Sequence, residues 1–266
     1  MARSAILNVM VQAALKAGRS LSRDFGEVQN LQVSLKGPGD YVSQADRKAE
    51  EIIYNELSRA RPGYSFLMEE RGAVDGDDGQ HRWIVDPLDG TTNFLHGIPI
   101  FSISIGLERQ GQLIAGVIFN PAMDELYTAE RGGGAFLNDR RMRVAGRTKL
   151  VDCVVGTGIP HLGRGHHGRA LADLRNVMIE SAGIRRLGSA ALDLAYVAAG
   201  RMDGFWEDAL SPWDLAAGIL MVREAGGFAS DRQGGDAMFD NGTIVAGNEA
   251  IHKALLATLA KQVPAS

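Results

Sequence analysis

The sequence predicts a mixed α and β fold in two halves, an α+β N-terminal half built on an antiparallel sheet and an α/β C-terminal half. Strand patterns follow one another between residues 101 and 137, with turn signals between them. Beyond about residue 148, strands alternate with helices instead. The composition, 45% hydrophobic and 23% charged, is sufficient for a large core. We therefore expect an N-terminal half over residues 1–147 and a C-terminal half over residues 148–266.

Along the N-terminal half, apolar residues recur at helical spacing from Ala5 to Ala17 and predict a first helix. Ser43 and Asp46 have the spacing of a capping box, so a second helix is expected from there to about Ala60. The remaining segments before residue 82 are a loop at 36–40, a strand at 64–68 that ends at Glu69 and Glu70, and an acidic loop at 72–79.

Four strands are predicted next, at 101–105, 113–119, 125–128 and 135–137, separated by turns at 110–111, 120–121 and 132–134. In the C-terminal half, the expected strands are 153–156, 184–187, 204–206 and 244–246. The expected helices are 168–181, 189–199, 213–225 and 249–259.

Composition and charge argue against several classes of protein. The net charge is −4 and the basic residues are scattered, so nucleic-acid binding is not supported. Cys153 is the only cysteine, which excludes an intrachain disulfide and favours a reducing compartment. Polar residues interrupt the first helix too early for a signal peptide, and no run reaches the ~18 apolar residues of a membrane span. The expected location is the cytoplasm.

The run from Trp83 to Phe94 carries the most chemical information. A short apolar strand at 82–85 is expected to stop at Asp86 and Pro87, and the turn that follows aims the carboxylates of Asp86 and Asp89 at one point. Gly90 lets the backbone approach a ligand, and the start of the next short helix offers N–H groups to an anion. Carboxylates with phosphate oxygens are the ligands that Mg²⁺ prefers. Taken singly, however, Asp-Pro and Asp-Gly pairs are common turn formers.

Three further acids are candidates, and each also has a local explanation. Glu69 ends a strand, where a surface acid is common, and Asp46 fits its capping box. Asp214 follows Ser211 and Pro212 at a helix start, which is itself a capping signal.

Several motifs together resemble the inositol monophosphatase family, the Mg²⁺-dependent, Li⁺-sensitive phosphomonoesterases, and above all its bacterial members. They are the run at 83–94, the Glu69-Glu70 pair, the segment Trp213 to Gly218 followed by 224–227, and Gly188 to Ala191 with Glu207. The resemblance covers nearly the whole chain. It implies a layered αβαβα sandwich of the sugar-phosphatase type.

By this resemblance, Glu69, Asp86 and the Leu88 carbonyl hold one Mg²⁺, while Asp86, Asp89 and Asp214 hold a second. A third, weaker ion is implied near Glu69. The four carboxylates carry charge that two Mg²⁺ ions balance, and crowding should raise their pKa values when no metal is bound. Metal binding should therefore weaken as the pH falls.

The resemblance also implies roles in catalysis. Thr91 and Glu69 orient the attacking water, and Asp46 supports Thr91. The implied substrate contacts are Leu88, Asp89, Gly90, Thr91, Arg185, Gly188, Ser189, Ala190, Glu207 and Asp214. Backbone N–H groups of Gly90 and Thr91 are expected to hold the phosphate.

The expected activity is hydrolysis of a phosphate monoester, inositol 1-phosphate above all, by water activated with two to three Mg²⁺ ions. Relatives acting on histidinol phosphate, a sugar bisphosphate or a nucleotide 3′-phosphate share the metal ligands, so these substrates stay open. A non-catalytic interaction protein is a further alternative, against which the intact acidic set argues. The family is commonly homodimeric, and the apolar strands between 101 and 119 offer a candidate surface for that contact.

Overall fold

The computed structural model describes residues 3–26, 33–37, 40–160 and 165–261, with side chains described outside 33–43. Its helices are α1 Ala5–Phe25, α2 Gln44–Ala60, α3 Thr91–Leu95, α4 His167–Glu180, α5 Ala190–Ala198, α6 Pro212–Glu224, α7 Met238–Asn241 and α8 Glu249–Leu259. A 3₁₀ turn spans Leu150–Asp152.

The N-terminal strands are β1 Val33–Gly37, β2 Asp40–Ser43, β3 Ser65–Met68, β4 Gly72–Val74, β5 His81–Asp89, β6 Ser102–Arg109, β7 Gln112–Asn120, β8 Glu125–Glu130, β9 Gly134–Leu137 and β10 Arg140–Arg141. The C-terminal strands are β11 Val154–Thr157, β12 Gly183–Arg185, β13 Gly204–Glu207, β14 Phe228–Ser230 and β15 Ile244–Gly247.

Two large sheets organise the molecule. The first has eight strands in the order β10-β9-β8-β7-β6-β5-β3-β4, all antiparallel except for the β3–β5 pair. The second has five strands in the order β12-β11-β13-β15-β14, with β12, β11 and β13 parallel and the pairs of β15 antiparallel. The antiparallel N-terminal sheet and the mixed C-terminal sheet confirm the fold class.

The elements form five layers. Helices α1 and α2 pack on one face of the eight-stranded sheet, and α5 and α6 pack between the two sheets. Helices α4 and α8 cover the outer face of the second sheet. The αβαβα sandwich implied by the resemblance is therefore confirmed. One core cluster joins residues of β7 and β8 to residues of α5, α6 and β13, so the division at residue 148 stays a prediction.

Strand β6 shows how the central layers approach one another. Its apolar residues Ile103, Ile105 and Leu107 belong to the core under α1 and α2. The alternate positions are small, and a Cβ on Gly106 would lie 2.7 Å from the Cβ of Ala216 in α6. Both faces of the strand are covered, although its polar-apolar alternation is typical of a strand with one face in water. The small residues bring α6, and with it Asp214, close to the sheet.

Five expectations from the sequence are corrected. The segment 36–40 is not only a loop, because β1 and β2 pair across it, with residues 38–39 outside the described part. Gly72–Val74 of the expected acidic loop pairs with β3. Strand β14 and helix α7 were not expected, because each is too short to show a period. The strands between 101 and 119 are buried under helices on both faces and do not offer a dimer surface.

The fifth correction concerns the central motif, where β5 does not stop at Asp86. Asp86 pairs with Ser104 and Asp89 with Ser102, so the strand continues past Pro87 with one extra residue. Such a bulge re-aims side chains at the end of a strand.

Two further expectations concern the start of α2 and segments that could span a membrane. The side chain of Ser43 lies outside the described part, so its predicted cap is not visible, but α2 does begin at the next residue. Among the helices of the described chain, none has the length and apolar character needed to cross a membrane.

We predict that Gly106→Val lowers the free energy of unfolding by about 1–3 kcal/mol, because the added side chain pushes α6 away from the sheet. Urea denaturation of the purified variant measures the change. Gly146→Val is the matched control, since a Cβ there meets no atom within 4 Å. An equal loss of stability in both variants would contradict the close-packing argument.

Candidate active site

Two groups of acidic side chains converge near the end of β5. Asp86 and Asp89 of β5 lie with Asp214 of α6, and one carboxylate oxygen of each falls within 4.8 Å of the others. Asp46, Glu69 and Glu70 form a second group by the same measure. The structure therefore brings together the five carboxylates predicted for the metal ions and the attacking water, from four separate parts of the chain.

The bulge in β5 orients Asp86. This side chain is 2% exposed, and one of its oxygens accepts a hydrogen bond from the Leu88 N–H at 2.9 Å. The Leu88 carbonyl accepts from the Thr91 hydroxyl at 3.0 Å, and Thr91 also lies 3.5 Å from Asp46 Oδ2. Asp46 thus stands behind Thr91, where the resemblance places it.

Asp89 is held by the start of α5. Its Oδ2 accepts from the Ser189 hydroxyl at 2.6 Å and from the Ala191 N–H at 2.8 Å. A backbone hydrogen bond from Gly90 also acts on this carboxyl. Ser189 is buried and caps α5 through the Leu192 N–H. Its hydroxyl is therefore already engaged with Asp89, which was not expected from the sequence.

Asp214 serves two purposes at once. Its Oδ2 accepts from the Ser211 N–H at 2.7 Å, which completes a capping box at the start of α6. The hydroxyl of Ser104 on β6 donates to the Trp213 carbonyl at 3.1 Å and ties this helix start to the sheet. The local explanation of Asp214 as a cap is correct, and the same side chain also belongs to the acidic group.

The turn after β5 requires glycine. Gly90 has φ 92°, in the left-handed region, and a Cβ on it would lie 2.9 Å from the Ile100 carbonyl. Asn93, which the sequence reasoning missed, donates to the carbonyls of Ile100 at 2.7 Å and Leu187 at 2.8 Å. Its amide thereby joins the signature turn to the wall contributed by the C-terminal half.

A cavity of ≈ 150 Å³ opens over the acids. The described residues that line it are Glu69, Asp86, Leu88, Asp89, Gly90, Thr91, Thr92, Gly158, Ile159, Arg186, Gly188, Ser189, Ala190, Glu207, Leu210 and Asp214. Nine of the ten predicted substrate contacts are in this set. Arg185 is not; its guanidinium donates to the Ile184 carbonyl at 3.0 Å, and the adjacent Arg186 lines the cavity instead.

The difference between the two arginines follows from strand geometry. Successive side chains of an extended segment point to opposite sides, and a sequence does not show which side faces the cavity. Thr92, Gly158, Ile159 and Leu210 were also missed. None of them carries a chemical signal of its own, so only the fold identifies them.

Glu207 lies directly against Gly158, where a Cβ would overlap the Glu207 carboxyl. Gly158 therefore makes room for this acid in the cavity wall. A second cavity of ≈ 350 Å³ shares Gly158, Ile159 and Glu207 with the first and continues along Trp206 and Leu174. Glu207 stands at the junction of the two.

Burial raises the pKa values of these acids, and neighbouring negative charge adds to the effect for Asp86, Asp214 and Glu207. Burial, followed by the charges of Glu69, Asp89 and Asp214, raises the pKa of Asp86 well above its ordinary value. Burial raises the pKa of Asp89 to about 6, although the hydrogen bond from Ser189 opposes it. Burial and the neighbouring charge of Asp89 raise the pKa of Asp214 to about 8. Burial and the charge of Asp214 raise the pKa of Glu207 to about 8.

This donor set fits a divalent cation. All of the converging ligands are carboxylate oxygens, hard donors of the kind that Mg²⁺ binds, and their mutual repulsion is relieved by positive charge. The described residues thus provide a candidate metal site next to a cavity large enough for a small anion.

Comparison with known proteins identifies the family. A family model described as the inositol monophosphatase family matches residues 2–265. The chain belongs to the inositol monophosphatase family. It is 78% identical over 265 residues to a protein of Mesorhizobium japonicum named inositol-1-monophosphatase, covering 100% of both chains.

Two further relatives extend the comparison. A Pseudomonas aeruginosa protein named Nus factor SuhB is 44% identical over 265 residues, covering 98% of each chain. The crystal structure of the extragenic suppressor protein suhB from Bartonella henselae superimposes with a TM-score of 0.95 at 68% identity, covering 98% of this chain and 100% of that one. Over 98% of its length, the chain therefore shares the fold of this solved protein.

We predict that stabilisation by Mg²⁺ increases with pH. An acid with a raised folded-state pKa binds more protons folded than unfolded, so its contribution to the free energy of unfolding falls as the pH rises between the two values. For Asp89 and Asp214 this interval runs from the ordinary 3.8 to about 6 and about 8. Mg²⁺ needs the ionised carboxylates and must displace those protons.

The measurement is the Tm with saturating Mg²⁺ minus the Tm in a chelator, taken from about pH 5 to about pH 8. The difference should grow over this range. Asp214→Asn is the control and should flatten the rise, because it removes one of the titrating groups. A Tm difference that is independent of pH in the wild-type protein would contradict the assignment.

Proposed function

We propose that the protein hydrolyses phosphate monoesters with the help of Mg²⁺ and that inositol 1-phosphate is its substrate. The observation that carries the proposal is the convergence of Asp86, Asp89 and Asp214 within 4.8 Å at the floor of a cavity that also contains Glu69 and Thr91. The name of the Mesorhizobium japonicum relative, with 78% identity, supports the substrate.

Specific residues would hold the metal. Glu69, Asp86 and the Leu88 carbonyl form one proposed ligand set, and Asp86, Asp89 and Asp214 form the other. The chemistry that Mg²⁺ supplies when bound is neutralisation of phosphoryl oxygens and a more acidic water. The adjacent acids Asp46 and Glu70 give the first set further negative charge, in line with a third, weaker ion.

Thr91 has the geometry to orient the attacking water. Its hydroxyl lies 3.0 Å from the Leu88 carbonyl and 3.5 Å from Asp46 Oδ2, both acceptors, so one of these oxygens accepts its proton. The lone pairs of Thr91 Oγ1 are then free to accept a hydrogen bond from water in the cavity that Thr91 lines. Glu69 lines the same cavity and supplies a second acceptor for that water.

The substrate alcohol would lie against the opposite wall. Glu207 offers a carboxyl to ring hydroxyls, and the Arg186 guanidinium, in place of Arg185, reaches the same cavity. The backbone at Gly188 to Ala190 closes that side. A small polyol satisfies these polar groups, whereas an apolar alcohol would leave the carboxyl of Glu207 without a partner.

Larger substrates are the main enzymatic alternatives. The second cavity beyond Glu207 gives space for the second phosphate of a sugar bisphosphate or the base of a nucleotide 3′-phosphate. Phosphate release from inositol 1-phosphate, histidinol phosphate, a sugar bisphosphate and a 3′-nucleotide, with and without Mg²⁺, separates these cases. A preference for one of the other esters over inositol 1-phosphate would overturn the proposed substrate.

A second candidate function is an interaction role, favoured by the 44% identity to the Pseudomonas aeruginosa protein named Nus factor SuhB. An interaction role does not require the intact set of acids, whereas catalysis does. Absence of Mg²⁺-dependent phosphate release from every ester in the panel would reject the enzymatic proposal and favour the interaction role.

Three further properties belong to the proposal by family likeness: inhibition by Li⁺, a homodimeric state and a cytoplasmic location. Li⁺ inhibition that is uncompetitive with respect to substrate would support the two-ion arrangement. Sedimentation of the purified protein measures the oligomeric state.

We predict that Asp89→Ala lowers turnover at least ~10²-fold, the order expected when a major source of transition-state electrostatics is lost. Initial rates at saturating Mg²⁺ measure the effect. Asp240→Ala, at an exposed acid of α7, is the control and should leave the rate unchanged. Full activity of Asp89→Ala would contradict the proposed metal ligands.

We also predict that Gly158→Ala raises KM for a polyol phosphate about tenfold, because the methyl group displaces Glu207 from the wall. Phenyl phosphate, which has no ring hydroxyls, should keep its KM. Gly168→Ala is the matched control, since a Cβ there meets no atom within 4 Å. Equal changes for the two esters would remove Glu207 from substrate selection.

A further inference from the structure

Glu50 of α2 lies outside the cavity but is buried beside the site, with 4% of its surface exposed. One of its oxygens, Oε2, accepts hydrogen bonds from two consecutive backbone N–H groups, that of Glu70 at 2.9 Å and that of Arg71 at 3.2 Å. A buried acid that accepts from two amides fixes the position of the backbone that carries them.

These amides belong to the turn that carries Glu69. Strands β3 and β4 pair from Met68 to Gly72, so residues 69–71 form the turn between them. The Glu69 N–H donates to the Val85 carbonyl of β5 at 3.2 Å. Three consecutive amides of the turn are thus hydrogen-bonded, one to the sheet and two to Glu50.

The same helix contributes directly to the acidic group. Asp46 lies four residues before Glu50, so the two side chains share one face of α2. Asp46 joins Glu69 and Glu70 in the second acidic group. Helix α2 therefore contributes Asp46 to this group. One turn later it contributes Glu50, which holds the backbone of the turn that carries Glu69 and Glu70.

We propose that Glu50 is a positioning residue that sets the affinity for Mg²⁺ by holding the Glu69–Arg71 turn. The inference rests on the proposed metal site. Mg²⁺ requires near-ideal ligand geometry, and residues that orient its ligands commonly change metal affinity 10–100-fold when they are replaced. Loss of Glu50 Oε2, which accepts from both amides, releases them and lets Glu69 shift relative to Asp86.

A neighbouring acid provides the matched control. Glu51 is on the same helix, is 56% exposed and pairs with the Arg71 guanidinium, which also lies 4.1 Å from the centre of the Tyr54 ring. Glu51→Gln therefore removes a negative charge that pairs with Arg71 of this turn, without removing the acceptor of the turn's amides.

The test measures Mg²⁺ binding by titration calorimetry and by the Mg²⁺-dependent rise in Tm, for Glu50→Met, Glu50→Gln and Glu51→Gln. Glu50→Met removes both carboxylate oxygens at similar side-chain volume and should weaken Mg²⁺ binding about tenfold. Glu50→Gln keeps a carbonyl acceptor and should stay within about threefold of the wild-type protein, as should Glu51→Gln. At saturating Mg²⁺, kcat of Glu50→Met should approach the wild-type value.

Binding by Glu50→Met within about threefold of wild type would overturn the proposal. Equal weakening in Glu50→Gln would also overturn it, because charge rather than the turn would then be responsible. If Glu50→Met is unfolded without metal, Glu50→Asp replaces it: that side chain keeps the charge but withdraws from the amides, and unchanged affinity contradicts the proposal. A wild-type protein that does not respond to Mg²⁺ contradicts the proposed function instead.

Discussion

Mutual repulsion among buried carboxylates is the constraint on which the rest of the site depends. Carboxylate oxygens of Asp86, Asp89 and Asp214 lie within 4.8 Å of one another. Burial raises the pKa of each acid above its ordinary value, and the charges of neighbouring acids raise the pKa of Asp86 and Asp214 further. Such a group is stable in a folded protein only if protons or cations neutralise it. The neutralising positive charge must therefore come from outside the chain, as it does in a metal-binding site.

The scaffold opposes this repulsion by fixing each acid through backbone hydrogen bonds. Asp86 accepts from Leu88 in the bulge of β5, Asp89 from the start of α5, and Asp214 from the start of α6. Backbone N–H groups at helix starts carry partial positive charge and favour nearby carboxylates. The layered arrangement brings a strand end and two helix starts to one point, which explains why so short a motif needs a large protein around it.

The proposed metal ligands and the proposed substrate-binding wall come from different parts of the structure. The acids and the Leu88 carbonyl come mainly from the N-terminal half, whereas Gly158, Arg186 and Glu207 in the opposite wall come from the C-terminal half. Changes in that wall can alter the alcohol that fits without moving the acids. Gly158 lies directly against Glu207 and is therefore a position that controls the shape of this wall.

Local patterns in the sequence determined most of the helices and strands, because burial on one face imposes a period of 3.6 or 2 on the residues themselves. They also pointed to the run at 83–94 and to the acids of the candidate site, because several motifs occur in the order that is typical of the family. Tertiary structure alone decided which side chains meet. It showed that β5 continues past Pro87, that Arg186 rather than Arg185 faces the cavity, and that Ser189 is engaged by Asp89. The proposed role of Gly158 depends on its contact with Glu207, which is 49 positions later in the chain. The proposed role of Glu50 depends on its hydrogen bond with Glu70, which is 20 positions later. Contacts at such separations are set by packing of the layers, which no local pattern records.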